Sequence, residues 1–164
     1  MKRILNSTVF ALVAFLLLGS FPVSAMERPF ALHGQGVGTF VTNEAGIPVS
    51  AQTTGSATAT HLGLCTVGGT VNFTPANDPE HPGRLLSSGL GTIIAANGDV
   101  LQFELNGALD PPAPGSVTGI DKPIFRWVGG TGRFAGATGT ANGVVVVNLL
   151  TGAFELTIVG DIDY

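Results

Sequence analysis

From Ala153 to Tyr164 the sequence reads AFELTIVGDIDY, and its apolar and polar residues alternate almost without fault. Phe154, Leu156, Ile158, Gly160, Ile162 and Tyr164 fall on one side of an extended chain, with Glu155, Thr157, Val159, Asp161 and Asp163 on the other. A period of two belongs to a strand with one face on a core and the other toward solvent. The same texture recurs upstream, in short runs of Val, Ile, Thr and Phe bounded by Gly, Pro, Asn and Asp. The runs are 30–42, 49–61, 64–73, the two arms of a hairpin within 90–107, 123–128, 138–148 and the last one, with no convincing amphipathic helix after residue 25. Eight strands, mostly antiparallel, suffice to close a barrel whose interior holds side chains or one small ligand. The expected fold is therefore all-β, a single antiparallel eight-stranded β-barrel, with a two-sheet β-sandwich as the alternative.

The run at 30–42 carries Gly34, Gly36 and Gly38 on one face. Such a bare face lets a backbone or a large side chain approach closely. The segment TPANDPEHPG, 74–83, reads as a long mobile loop, and ALDPPAPGSVTG, 108–119, as a second one. Between them, Asn97-Gly98 is the favoured pair for a two-residue type I′ turn. That turn sets Ile94 opposite Leu101, Thr92 opposite Phe103 and Leu90 opposite Leu105 on an apolar face. Gly91, Ile93, Gln102 and Glu104 fall on the other face.

The first 25 residues read as a secretory leader: a basic start at Lys2-Arg3, an apolar stretch from Val9 to Leu18 and a small-residue cleavage site ending at Ala25. The expected organisation is a signal peptide over 1–25 and one domain over 26–164, exported to a periplasm or the medium. No other apolar run reaches membrane-spanning length, so a spanned membrane is not expected. Without the leader, five Lys and Arg stand against eleven Asp and Glu, a formal charge near −6. That sign disfavours nucleic acid and anionic membrane surfaces as partners. Cys65 is the only cysteine, so no internal disulfide is available, and it reads as a small buried hydrophobe.

The glycine-rich stretch WVGGTGRFAGATGT, 127–140, invites a phosphate-loop reading, which its spacing and context refuse. No register supplies the Gly-Lys-Ser/Thr of a P-loop, and Gly136 comes one residue late for a dinucleotide fingerprint. Those motifs also open a helix that holds the anion at its N-terminus. Here a strand-like run, ATGTANGVVVVN, follows. The stretch reads instead as a corner of an all-β fold, with Phe134 plugging one barrel end and Arg133 capping carbonyls or pairing with an acidic strand residue.

This segment resembles the late glycine-rich signature of the allene oxide cyclase and dirigent barrels, on Gly129, Gly130, Gly132, Phe134 and Gly139, with Gly136 lying between them. The chain is also similar to a group of bacterial exported proteins through ATHLGLCT at 59–66, TIIAANGDVL at 92–101 and the glycine segment. The resemblance implies an eight-stranded barrel, often trimeric, with a cavity for an apolar ligand. It carries over no activity, because the catalytic residues of those families lie outside the shared segment.

Candidate chemistry is sparse. A hairpin centred on Ile47 would set His33 against His61, two imidazoles able to bind a metal or move protons, but a third ligand is missing and no metal or cofactor is expected. Glu104 and Arg126 could form an acid–base pair or a ligand anchor if their face points inward, and would be solvated if it points outward. The candidate catalytic residues are thus Glu104, Arg126 and His61, and the structural motif comprises Asn97, Gly98 and the glycine segment. The expected function is that of an exported, non-catalytic barrel that binds a small apolar ligand or acts structurally, with a homo-oligomer as a further expectation. The alternative is an isomerase or cyclase acting on an apolar substrate, which requires a buried carboxylate or histidine with a shifted pKa in the cavity.

Overall fold

The computed structural model describes residues 27–164, so the leader assigned to 1–25 lies outside the described residues. Nine strands form one antiparallel sheet: β1 (Arg28–Thr42), β2 (Pro48–Ala59), β3 (Gly63–Pro75), β4 (Leu85–Ala95), β5 (Val100–Asp110), β6 (Thr118–Asp121), β7 (Ile124–Gly130), β8 (Thr140–Asn148) and β9 (Ala153–Ile162). β1 to β5 pair in sequence, β5 pairs with β7, β7 with β8, β8 with β9, and β9 returns to β1. Those eight close the barrel and remove every free edge, which decides against the sandwich. The short β6 is additional to this ring. It continues the line of β7 past Lys122-Pro123, pairing with β5 and β8 in the register that β7 sets.

Closure works because small and large residues meet across the interior. Gly36 lies opposite Phe154 on β9, and a Cβ there would stand 2.7 Å from the Phe154 ring. Gly91 leaves the same kind of room for its cross-strand partner Phe103. The glycine stripe on β1 thus seats an aromatic ring on a neighbouring strand.

The β4–β5 hairpin departs from the sequence reading. Its loop has three residues, Ala96-Asn97-Gly98: Gly98 N–H donates to the Ala95 carbonyl and Ala95 N–H donates to the Asp99 carbonyl, both at 2.9 Å. Gly98 has φ +87°, whereas Asn97 is not in the left-handed region, so this is a turn closed by a left-handed glycine. The Asn97 side chain bridges to Asp99 and fixes that geometry. One extra loop residue shifts the pairing by one, to Ile93–Leu101 and Gly91–Phe103. It also inverts the faces of β4. Ile93 is buried, while Leu90 is 63% exposed and Ile94 lies on the outside. The alternation of β9 and the inward set Leu101, Phe103 and Leu105 on β5 are as the sequence indicates.

The interior is unequal along the barrel axis. At the end bearing the start of β1, the end of β9 and the glycine segment, Phe30, Leu32, Trp127, Phe134, Ile158 and Ile162 are fully buried. Phe30 packs on Trp127 at 4.6 Å between ring centres, and Phe134 on Tyr164 at 5.0 Å. This end is plugged. The opposite end, where β1–β2, β3–β4, β5–β6 and β8–β9 are joined, is not filled to the same depth.

Candidate functional site

At that second end the interior opens into a cavity of about 90 Å³. Its wall is aromatic and aliphatic: Phe40, Phe73, Phe103, Phe125 and Phe154, with Val71, Val145, Leu105 and Leu109 between them. These positions alternate inward on six strands, so the lining follows from the period-two pattern once the register is set. At roughly 10–15 Å³ for each water-sized group, the cavity has room for about six to nine of them.

One ionisable side chain lines it, Asp121, at the C-terminal end of β6 where the strand line breaks at Lys122-Pro123. Asp121 is 8% exposed. Ser87, on the inner face of β4 and itself buried, donates its hydroxyl to Asp121 Oδ1 at 2.9 Å. Burial pushes the Asp121 carboxyl above the ordinary carboxylate value, and the nearby Asp110 charge pushes the same way. The Ser87 hydroxyl and the Lys122 amide pull against both by bonding to the charged form. Neither Asp121 nor Ser87 is among the candidates read from the sequence. With β4 in its true phase, Leu85, Ser87, Gly91 and Ile93 share the inward face, and a serine among them was the available signal.

The rim above Asp121 is charged. Arg84 bonds Asp110 at 2.8 Å and Asp78 at 3.3 Å, and Lys122 Nζ stands 3.7 Å from Asp110. His81 Nδ1 lies 2.8 Å from Asp78, and this hydrogen bond, followed by one from the Glu80 amide, holds the Asp78 carboxyl below its ordinary value. Arg84 thus ties the 76–84 loop to the end of β5 at the barrel rim.

The sequence-derived candidates lie elsewhere. Glu104 and Arg126 are direct cross-strand partners and form an ion pair, but on the outer face, with the Arg126 side chain 64% exposed. Exposed pairs of this kind contribute about 0–1 kcal/mol. His61 sits in the β2–β3 turn with φ +66°. Its Nε2 is 3.0 Å from the Pro29 carbonyl, and its ring meets Tyr164 edge-on at the plugged end. His33 pairs with Thr58, not with His61, and its Nδ1 is 3.1 Å from Thr157 Oγ1. The hairpin pivots at Asn43–Ile47: the Asn43 amide donates to the Ile47 carbonyl, and the Asn43 side chain accepts from the Ala45 and Ile47 amides. This pivot lies ahead of Ile47 and displaces the histidines. Among the described residues no three His, Cys, Asp or Glu side chains are grouped to hold a metal ion. Cys65 is buried, its thiol directed at the Ala57 carbonyl and pushed up by desolvation.

The glycine segment is a corner in geometry as well. It makes one 3₁₀ turn, Gly132–Phe134, and then enters β8. Its amides are engaged internally: Thr131 to Val100, Phe134 to Thr131, Ala135 to Gly132, Ala137 to Phe134 and Thr138 to Asp163. An anion cradle needs such N–H groups free and convergent. Arg133 instead pairs with Asp99 at 3.4 Å, tying the corner to the β4–β5 hairpin.

Compared with family models, curated proteins and solved structures, the chain has no significant match in any of the three. No helix among the described residues is long and apolar enough to cross a membrane.

Proposed function

We propose that the protein is an exported, non-catalytic β-barrel that holds a small apolar ligand in the cavity at its open end. The observation that carries this reading is the asymmetry of the interior. One end is filled by buried aromatic rings, while the other leaves a phenylalanine-lined space beneath a pinned loop. A ligand that fills this space removes apolar surface from water on both sides, the main favourable contribution in such pockets. The likeness of 129–139 to the allene oxide cyclase and dirigent barrels supports the same kind of cavity and belongs to this proposal. The leader-like residues 1–25 support export.

A second reading, an isomerase or cyclase using the same cavity, is favoured by the buried Asp121 carboxyl. Acid–base turnover of a bound substrate is better served by two groups that exchange a proton. Asp121 is the one ionisable group in the lining, and its side-chain partner is a serine hydroxyl. Binding is the better-supported function.

Native mass spectrometry of the protein purified from its own host, without lipid-stripping steps, tests the proposal. The expected spectrum carries a retained small organic molecule in a fixed ratio to protein. A spectrum without added mass, unchanged after incubation with host extract, contradicts it. The same spectrum counts copies of the chain, and the exposed Leu64, Leu90 and Ile94 support association.

A further inference from the structure

We infer that the cavity selects a small apolar cation: a primary or secondary ammonium group held on Asp121, with its compact apolar body among the surrounding phenylalanine rings. This rests on the binding reading above and adds the chemical class of the ligand.

Asp121 forms no ion pair among the described residues. The nearby cations are engaged elsewhere, Arg84 between Asp78 and Asp110, and Lys122 on Asp110. An ionised carboxylate has about four acceptor positions; the Ser87 hydroxyl fills one and the Lys122 amide another. A carboxylate in an apolar wall with so few donors is costly unless a cation or further donors satisfy it. An ammonium group brings both charge and N–H donors.

The rest of the lining suits the same occupant. Phe40, Phe73, Phe103 and Phe125 surround the space, and the faces of aromatic rings carry negative potential that attracts cations. At the mouth Asp78 and Asp110 are balanced by Arg84 and Lys122, and it is the acidic excess of the chain as a whole that biases approach toward cations. An anionic ligand would meet Asp121 with like charge. A neutral one would leave that charge unpaired.

The test uses three probes of one shape: benzylamine, benzyl alcohol and benzoate, titrated calorimetrically at pH 7 into the wild-type protein, Asp121→Asn and Glu104→Gln. Benzylamine is expected to bind about tenfold or more tightly than benzyl alcohol, and benzoate not at all. Asp121→Asn is expected to abolish the preference, and Glu104→Gln, on the outer face, to keep it. Should Asp121→Asn fail to fold, the selectivity of the wild-type protein among the three probes still decides. Equal binding of benzylamine and benzyl alcohol overturns the cation assignment while leaving the apolar cavity reading intact. Failure of benzylamine and benzyl alcohol alike overturns both.

Discussion

Replacing Trp127 by alanine is expected to cost the protein about 3–5 kcal/mol of stability, the range for truncating a fully buried large aromatic. Trp127 lies within the plug, packing on Phe30 at 4.6 Å and stacking with Phe125 at 6.3 Å. Its indole N–H donates to the Asp161 carbonyl at 2.9 Å, joining β7 to β9. Alanine would leave a void among neighbours fixed by the strand ladder and would remove that carbonyl's indole donor. For a domain of this size the loss corresponds to a fall in Tm of roughly 10–20 °C. Trp127→Phe, which keeps most of the volume and loses the hydrogen bond, is expected to cost clearly less. Thermal and denaturant unfolding read both variants. A loss below about 1 kcal/mol for Trp127→Ala would show that the plug does not hold the barrel end together.

The second large effect lies in the glycine corner. Gly130→Ala is expected to destabilise by about 3 kcal/mol or more, beyond the usual range for overpacking because the obstacle is backbone. A Cβ at Gly130 would collide with the Val100 carbonyl oxygen and approach the carbonyl carbon to 2.9 Å. That carbonyl is also the acceptor of the Thr131 amide, so moving it breaks a 2.8 Å bond of the corner. Gly136→Ala, six residues on, is the control. Its Cβ would meet nothing within 4 Å, and its φ is not in the left-handed region. It is expected to change stability by less than about 0.5 kcal/mol. Denaturant midpoints of the two variants separate a packed corner from a loop kept open for a ligand. A phosphate cradle would make both glycines matter to binding and neither much to stability. The corner makes one matter to stability and the other to nothing.

Much of the fold was legible because strand periodicity is local. The faces of β9 and of β5 follow from counting residues, and eight such runs imply closure. What was not legible depended on loop lengths. Reading Asn97-Gly98 as a two-residue turn put β4 out of phase by one and hid Ser87 among outward residues. Nothing in the dipeptide itself distinguishes a two-residue turn from the last two residues of a three-residue one. Placing the first hairpin on Ile47 in place of the Asn43-capped turn brought His33 and His61 together on paper only. β6 has four residues between proline-rich segments, too short for a periodic signal, and Asp121 closes it. Its place in the cavity wall depends on the pairing of β6 with β8, which lies beyond the intervening β7 in the chain, as well as with the preceding β5. The outward Glu104–Arg126 pair shows the converse: both residues were noticed and their faces weighed, and cross-strand pairing turned them to solvent.

The open end of the barrel, and not its plugged end or outer face, is the proposed binding site. Titration of benzylamine into protein carrying ¹³C-labelled methyl groups provides the direct test. The account predicts shifts at the cavity methyls of Val71, Val145, Leu105 and Leu109, with Leu32, Ile158 and Ile162 of the plug unmoved. Shifts confined to outer-face methyls such as those of Leu90 and Val159, or no shifts at all, would contradict it.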